Sequence, residues 1–494
     1  MENDLKKSMQ LAGQNLLNCL NPEKNFTPYW EMVITPEGKA RYSDWWPQHN
    51  LGRWWDAMLR LEDCTGFVIP AREEGAMLQN LFRFFQNPDG LCFQPLDYNG
   101  QLFPIDLHSL RESLLALHAL ARFRNSRWAR EAGRRMLETV ARLWRNDGMW
   151  DLSQLEFYKG TQFQNSDTIY DPTGTSGRLV EALVWFYEAT QDSLALELAR
   201  RLAEWHYENS TLPDGSICFA HPVSHTHSFL GTLRGLFLYG RLTNQARFLQ
   251  RVRACYEKTV RVMAKESGYT SHDIGREDRG ETTSAGDAAQ LAMWLAEAGY
   301  EEYWDDAQRL VRARILPSQI TEPLPLAPME EGGGDCFRAL GQRAVGGFGG
   351  MHTHPHGGKM NTTDITAADL HTLTDVYRHI VTRCGDGLHV NFQFDYEGEG
   401  IAVRVTRSRS LRMQVSCTGD SPLLIRVPQW AGRDGVSLTV QGAAAPLRWQ
   451  GSFLAVEGRP GGQTAEVCFP LPEKIVQEVT AGTCYTLRFL GDEV

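Results

Sequence analysis

The sequence lacks the patterns that identify membrane and nucleic-acid-binding proteins. No segment offers about 18 consecutive uncharged apolar residues, and the opening MENDLKKSMQLAGQNLLNCL has no apolar core after a basic start. Lysine and arginine are spread along the chain without a basic block, and the net charge of −10 is mild for 494 residues. We therefore predict a cytoplasmic protein that binds neither nucleic acid nor membrane.

Paired cysteines are missing as well. The ten cysteines form no CxxC or CC pair, and most of them stand among apolar neighbours. Such cysteines are usually reduced side chains of the core, and no cysteine-rich zinc site is visible. We predict free cysteines and no resident cofactor.

The middle of the chain repeats one helical pattern. Between about residues 105 and 318, apolar helices alternate with amphipathic helices, each with apolar residues at i, i+3, i+4 and i+7. The repeat distance of roughly 50 to 70 residues is typical of helical hairpins. An earlier hairpin (LGRWWDAMLRLEDCTGF, then IPAREEGAMLQNLFRFF) and a late helix (TDVYRHIVTRC) complete a ring. The pattern predicts a mainly α fold, an (α/α)6 barrel over residues 1–385.

A different pattern follows Cys384. Short alternating segments such as GLHVNFQF, IAVRVTRS, LRMQVSC, PLLIRVPQWA and TAEVCFPLP are separated by Gly, Pro and Asp turns. Regular short strands with this alternation are typical of a β-sandwich. We predict a C-terminal β-sandwich domain over residues 386–494, whose main task is to support the barrel.

The unusual polar residues collect in the loops between the predicted hairpins. These loops read YSDWWPQHN, FPIDLHS, TIYDPTGTSG, CFAHPVSHTHS, SHDIGREDRGETTSAGD and GMHTHPHGGKMNTTDITA. Aromatic rings stack on the CH faces of sugars, and acids and histidines bind sugar hydroxyls. Six such loops on one rim of a helical ring favour a carbohydrate ligand.

Several stretches, in their order along the chain, resemble one enzyme family. They are SGRLVEALVWFYEAT, SHTHSFLGTLRGLFLYGRLT, GREDRGETTSAGDAAQLAMWL, YWDDAQRLVRARILPSQ, DVYRHIV, PLLIRVPQWA, and FLAVEG with TAEVCFPLP. From about residue 45 to its end, the chain resembles the β-L-arabinofuranosidases of glycoside hydrolase family 127 and their wider superfamily. The resemblance implies an (α/α)6 barrel followed by β-sandwich domains. It also implies zinc bound by one glutamate and three cysteines, one of which is the nucleophile.

The chain departs from the family at these chemical groups. Glu281 matches the zinc-binding glutamate, but Thr283 stands where the family has a cysteine. The family's cysteine pair falls at or within a residue of Asp364 and Ile365. Because all three thiols are absent, we do not carry over the zinc site or the cysteine nucleophile.

Two carboxylates remain as candidates for the chemistry. Hydrolysis of a glycosidic bond generally needs one carboxyl group as acid and another as nucleophile or base. We predict Asp364 as nucleophile or water-activating base and Glu281 as its partner or acid, with Asp278, Asp287 and Asp106 in reserve. Structural roles are the alternatives: Asp364 as a helix N-cap, and Glu281 as an acid at the positive end of a helix.

Other polar and aromatic residues of the loops are predicted to contact the substrate. They are Trp46, Asp106, His108, Tyr170, Arg178, His227, His352, His354 and His356. The last three histidines alternate in HTHPH and would project to one side of an extended segment. Three roles stay open for them: binding a divalent metal with Asp364 or Glu281, contacting a sugar directly, or neither. Arg178 stands where the arabinofuranosidases have a histidine. Its fork suits the carboxylate of a uronide, and helix capping or an ion pair with Glu181 or Asp171 is the alternative.

The sequence therefore favours a glycoside hydrolase that removes a terminal sugar, arabinofuranoside-like or a uronide, from an oligosaccharide or glycoconjugate. Two alternatives stay open. One is a sugar epimerase or lyase that uses His227 with His354 or His356 as acid and base. The other is a carbohydrate-binding relative without activity. A homodimer is also open, although no segment identifies a dimer face.

Overall fold

The computed structural model describes residues 4–93, 107–156, 172–218, 225–349 and 361–494. Its principal helices are α1 (Leu5–Asn18), α2 (Pro47–Thr65), α3 (Ala71–Phe84), α4 (Leu110–Phe123), α5 (Arg127–Leu143), α6 (Ser176–Thr190), α7 (Ser193–Asn209), α8 (Thr226–Leu242), α9 (Ala246–Cys255), α10 (Thr282–Glu297), α11 (Tyr303–Leu310) and α12 (Thr363–His379). Both α9 and α11 continue through a short π-helical turn.

Six of these helices form a closed inner ring. Helices α2, α4, α6, α8, α10 and α12 pack side by side in this order, and α12 returns to α2. Outside them, α3, α5, α7, α9 and α11 each pack on the inner helix that precedes them, and α1 covers α12. The predicted (α/α)6 barrel is therefore confirmed.

Burial explains which helices lie inside. Helix α6, SGRLVEALVWFYEAT, is buried on all sides from Ser176 to Phe186. Helix α5, RWAREAGRRMLETVARL, buries only one stripe, including Met136 and Val140, so its arginines face water. The inner helices also approach closely: a Cβ at Gly52 in α2 would overlap the backbone carbonyl of Glu112 in α4. This contact brings polar groups of both helices together in the barrel.

Five short strands precede or interrupt the barrel helices. They are β1 (Leu20–Asn21), β2 (Thr27–Pro28), β3 (Glu31–Ile34), β4 (Lys39–Ser43) and β5 (Ala327–Pro328). Strands β3 and β4 form an antiparallel hairpin that β5 extends. The backbone N–H of Thr363 donates to the carbonyl of Trp30 at 2.9 Å. This bond fixes the hairpin against the start of α12.

The C-terminal region is a β-sandwich. Its strands are β6 (Val381–Cys384), β7 (Gly387–Val390), β8 (Tyr396–Gly398), β9 (Ile401–Arg407), β10 (Ser410–Cys417), β11 (Leu423–Arg426), β12 (Ser437–Val440), β13 (Ala443–Ala444), β14 (Trp449–Gln450), β15 (Phe453–Val456), β16 (Gln463–Pro470), β17 (Glu473–Thr480) and β18 (Thr483–Leu490). One sheet has the order β13-β12-β16-β10-β9-β8, and the other has β14-β15-β11-β7-β6. Their inner faces share one apolar core. The predicted boundary at residue 386 falls in the turn between β6 and β7, so the sheet itself begins earlier, at Val381.

The last hairpin, β17 with β18, reaches back to the barrel. Glu478 accepts hydrogen bonds from the backbone N–H of Ser267 at 3.0 Å and from its hydroxyl at 2.8 Å. Lys265 Nζ donates to the carbonyl of Val479 at 2.5 Å. The hairpin thus supports the loop that leads into α10.

The cysteines and the apolar helices bear on two further predictions. All ten cysteines lie in the described segments and none forms a disulfide, as predicted. Within those same segments, no helix is long and apolar enough to cross a membrane.

Candidate active site

The inner helices present their N-terminal ends at one mouth of the barrel. Helix N-termini carry partial positive charge, and each of these ends also supplies charged or imidazole side chains. By helix they are His49 and Arg53 in α2; Arg111 and Glu112 in α4, with His108 just before it; Arg178 and Glu181 in α6; His227 and Arg234 in α8, with His225 just before it; Asp287 in α10, with Glu281 just before it; and Asp364 in α12.

Glu112 is the centre of the buried charge network. Its side chain is wholly buried, and Oε1 accepts hydrogen bonds from Arg178 Nη2 and, at 2.8 Å, from Arg111 Nη1. Arg53 Nη2 lies 3.4 Å from the same oxygen. Burial alone would raise the pKa of Glu112, but these cations and His49 hold it well below its usual range. Glu112 is therefore ionised and fixes three arginines from three helices.

Asp364 sits above this network and reaches the mouth. Its Oδ1 lies 2.6 Å from Arg53 Nε and 2.9 Å from His49 Nε2. His49 Nδ1 in turn accepts from the Ser109 hydroxyl at 3.1 Å. Burial opposes ionisation, yet Arg53 and His49 lower the pKa of Asp364 far below that of a free aspartate. Since its side chain keeps 11% of its surface exposed, an ionised carboxylate borders the opening.

Glu281 faces two histidines on the other side of the mouth. Its Oε2 lies 3.4 Å from His225 Nε2 and 3.9 Å from His272 Nε2. Burial would raise the pKa of Glu281, but the two imidazoles lower it, while the charge of Asp364 raises it. The charge of Asp364 is the smallest of these influences on Glu281. The pairing of the two carboxylates in one catalytic site stays a prediction.

A wall of stacked rings closes one side of the mouth. The Trp46 ring is stacked on His49, with centroids 4.4 Å apart and an interplanar angle of 22°, and on His108 at 5.5 Å. Trp46 is also the residue before α2 and has φ of +53°, in the left-handed region. A bulky residue is rarely held there unless the surroundings require it. The half-buried face of Trp46 is suited to stacking against a sugar.

His227 lies deeper than the predicted substrate contact. Its Nδ1–H donates to Asp287 Oδ2 at 2.5 Å, and its Nε2 accepts from Arg53 Nη2 at 2.7 Å. Asp287 also accepts from Arg234. Burial and the nearby arginines hold the pKa of His227 well below its usual range. Because both nitrogens are engaged and the ring is buried, His227 supports Arg53 and offers no free nitrogen to the mouth.

Arg178 is also a buried supporting residue. It donates to Glu112 and to His108 Nε2, and His108 Nδ1–H donates to the carbonyl of Gly174 at 2.8 Å. Burial lowers the pKa of Arg178 to about 10. Of the alternative ion pairs, the one with Glu181 is wrong, because Glu181 pairs with Arg111 and Arg234 instead, and Asp171 lies outside the described segments. The guanidinium fork of Arg178 is thus already occupied.

A further carboxyl group is buried in α12. Asp369 is wholly buried, and its Oδ2 accepts from the Thr282 hydroxyl at 2.5 Å. Burial, with the charges of Glu281 and Asp287, raises the pKa of Asp369 well above its usual range. Asp369 is one of the residues that the sequence did not single out.

Solved structures of glycoside hydrolases share this architecture. A GH127 β-L-arabinofuranosidase from Geobacillus stearothermophilus T6 matches over 90% of this chain and 76% of its own, with a TM-score of 0.58 and 15% identity. Another GH127 β-arabinofuranosidase matches over 97% of this chain and 78% of its own, with a TM-score of 0.57 and 12% identity. This chain has a divergent GH127-like fold. The GH127-like fold is also similar to an unsaturated glucuronyl hydrolase from Bacillus sp. GL1, over 76% of this chain and 96% of that one, at a TM-score of 0.50 and 15% identity. No protein-family model and no curated protein sequence matches the chain.

The zinc site of the family does not fit the residues of this GH127-like chain. Thr283, at the position of the first cysteine, is buried, and no hydrogen-bond partner of its hydroxyl is found in the described part of the chain. At the cysteine-pair position, Asp364 binds Arg53 and the other residue is the apolar Ile365. With no thiolate at any of the three positions, this chain has no counterpart of the family's cysteine nucleophile there. Among the described residues, His225, His272 and Glu281 form a group that could hold a cation.

The other site predictions have mixed outcomes. Asp278 is not part of the site, because its side chain is 57% exposed and pairs at 2.7 Å with Arg276 of the same loop. Asp364 is not the N-cap of α12; Thr362 takes that position, and Asp364 lies in the first turn. Glu281 does precede α10 but makes no capping hydrogen bond. Five predicted residues lie outside the described segments: Asp106, Tyr170, His352, His354 and His356.

Sequence reasoning missed most of the buried network. The residues concerned are His49, Arg53, Arg111, Glu112, Arg234 and His272. One signal could have found several of them: charged residues interrupt inner-helix segments that are otherwise apolar, as in HNLGRWW and HSLRESLLAL. A charge inside a fully buried helix needs a buried partner. Those interruptions therefore mark the inner face of the barrel.

Proposed function

We propose that the protein is a glycoside hydrolase that removes a terminal sugar from an oligosaccharide or glycoconjugate by means of carboxylates and without a cysteine nucleophile. One observation carries the proposal: ionised Asp364 borders the mouth between Arg53 and His49, beside the half-buried ring of Trp46, which stacks on His49. Glycosidases place such a carboxylate against the positively charged sugar ring of the transition state. The Trp46 ring would hold the sugar next to the Asp364 carboxylate by stacking.

Asp364 is best suited to attack or to stabilise charge. A carboxylate with a strongly lowered pKa is a weak proton acceptor, since an efficient general base has a pKa near the working pH. Its negative charge, by contrast, is present at every physiological pH. We therefore assign Asp364 the role of nucleophile, or of charge partner to the oxocarbenium-like ring, in preference to that of a water-activating base.

The departing oxygen is assigned to the side of Glu281. The Glu281 carboxylate and the His225 Nε2 are 3.4 Å apart, and the His225 side chain is 23% exposed. A proton shared between them could pass to the leaving oxygen as its bond to the sugar breaks. This assignment puts the proton donor on the leaving-group side and the negative charge of Asp364 on the ring side.

The sugar is proposed to be neutral and arabinofuranoside-like. A uronide would need a cation with free donors, and Arg178, the residue that suggested one, is buried against Glu112 and His108. Arg53 is likewise bonded to Asp364 and His227. Since both arginines are already paired, the described residues favour hydroxyl recognition over carboxylate recognition.

A matched pair of variants tests the proposal. The purified chain is screened against chromogenic glycosides, including arabinofuranosides and uronides, and the best substrate is used for Asp364→Asn and Asp278→Asn. The first variant should lose at least about 10²-fold in kcat, and the second should retain wild-type kcat, because Asp278 lies on the surface. Equal rates in both variants would remove Asp364 from the mechanism. Failure of wild type to cleave any glycoside would refute hydrolysis.

A further inference from the structure

Three potential metal ligands meet at the mouth in the GH127-like barrel. One ligand atom each from His225, His272 and Glu281 lies within 4.8 Å of the other two. Two imidazoles and a carboxylate are a common ligand set for zinc at sites that keep an open coordination position. The side chains of His225 and His272 are 23% and 15% exposed, so the group is reachable from the opening.

Each histidine is oriented by a second hydrogen bond. His225 Nδ1 is hydrogen-bonded to the Ser228 hydroxyl at 2.9 Å, and His272 Nδ1–H donates to Asp273 Oδ1 at 2.9 Å. Asp273 is itself fixed by Arg279 at 2.7 Å. These bonds hold both rings with Nε2 toward Glu281. A carboxylate behind a histidine, as Asp273 is behind His272, is the usual arrangement around protein-bound metals.

Backbone hydrogen bonds fix the spacing of the three ligands. Thr226 N–H donates to the carbonyl of His272 at 2.9 Å, which joins the loop before α8 to the loop before α10. Within the second loop, His272 N–H donates to the carbonyl of Arg279 at 3.0 Å, and Glu281 N–H donates to that of Thr270 at 3.0 Å. The ligands are therefore held by the fold, with little ordering required on binding.

The oxygen that faces the two histidines is left without a hydrogen bond. Glu281 Oε2 is buried, and the described segments supply it no hydrogen-bond partner. It lies 3.4 Å from His225 Nε2 and 3.9 Å from His272 Nε2. A buried carboxylate oxygen needs a compensating partner, and a cation bound by these three groups would provide one.

We propose that His225, His272 and Glu281 form a site for a divalent cation of the zinc class, which replaces the thiolate site of the family. The proposal rests on the same mouth as the proposed function and refines its leaving-group side. A cation held there would supply the positive charge that the shared proton otherwise supplies. Glu281 is then a ligand, while Asp364, on the ring side, keeps its role.

Zinc content measured on the full-length chain tests this directly. Wild type, His272→Ala and His389→Ala are dialysed against micromolar Zn²⁺ and then against metal-free buffer, and bound zinc is measured by elemental analysis. His389 is the matched control, because it belongs to the more exposed group Cys384, Asp386 and His389 on the edge of the sandwich. Wild type and His389→Ala should retain about one Zn²⁺ per chain, and His272→Ala should retain none.

A second variant keeps the test decisive even if His272→Ala fails to fold. Asp273→Asn keeps all three ligands but weakens the bond that orients His272, and such changes typically reduce metal affinity about 10- to 100-fold. Circular dichroism of the metal-free proteins compares their folding. If Asp273→Asn binds zinc as tightly as wild type, or if wild type retains no zinc, the proposal is overturned. Asp364→Asn should bind zinc like wild type, so the site and the hydrolytic activity can fail independently.

Discussion

Neutralising Glu112 should destabilise the barrel strongly. In Glu112→Gln the side chain keeps its size, but Arg111, Arg178 and Arg53, all within 3.4 Å of Oε1, lose the charge that compensates them. Removing one partner of a buried ion pair typically costs about 3–5 kcal/mol. With three guanidinium groups around one wholly buried carboxylate, we expect the free energy of unfolding to fall by at least that amount.

Urea unfolding followed by tryptophan fluorescence measures this change, since Trp54 and Trp55 are buried in α2. Glu197→Gln is the control: Glu197 pairs with Arg200 at 2.8 Å on the surface, where the same substitution should cost less than about 1 kcal/mol. If the two variants differ by less than about 1 kcal/mol, Glu112 does not hold the network together.

A double variant separates lost charge from lost packing. Arg178→Met removes the arginine closest to Glu112 together with its charge. In the Glu112→Gln background, this second change should cost about 1–3 kcal/mol less than in wild type, because partners in one network are not additive. Strict additivity would indicate that Glu112 acts through its shape alone.

Two further predictions concern the ring wall and the far end of α12. Trp46→Ala should raise KM for the best glycoside about tenfold, because a stacked ring is worth about 0.5–1.5 kcal/mol. Trp45→Ala is the control: its ring is 43% exposed, and KM should stay unchanged. Equal effects of the two substitutions on KM would refute the stacking role. Burial disfavours the charge on His379, but Asp375 and Glu297 raise its pKa to about 9. The ion pairs of protonated His379 thus stabilise the folded state fully below pH 6.5, and this stabilisation is lost as the pH rises to 9. The stability difference between wild type and His379→Gln should shrink by on the order of 3 kcal/mol between pH 6 and pH 9.5 in urea titrations; a constant difference would contradict the assignment.

The helical ring was predictable because its signals are local. A helix that is buried on all sides differs in composition from one with a single apolar stripe, and α6 and α5 show this difference within their own sequences. The alternating strands after Cys384 are equally local. Their predicted boundary missed β6 because VTRC is short and its side chains are partly exposed, so it carries little alternation.

The chemistry of the mouth was only partly predictable. Sequence order and the family resemblance led us to expect Glu281 and Asp364 in facing loops, and the structure places each at the start of an inner helix, α10 and α12. Their pairing in one catalytic site stays a prediction. Asp278, three residues before Glu281, was predicted as a reserve carboxylate. The structure turns Asp278 outward to Arg276, because the loop doubles back through its own backbone hydrogen bonds, which no local pattern reveals.

The sequence alone determined the ring of helical hairpins, the sandwich and the loops that carry polar groups. Only the tertiary structure decided which of these groups are partners. Arg178 pairs with Glu112, 66 residues earlier, and not with Glu181 in its own helix, and Asp364 joins His49 across 315 residues. The physical reason is that burial demands a partner for each charge, whereas the choice of partner depends on the rotation and register of packed helices, which are set by the whole core.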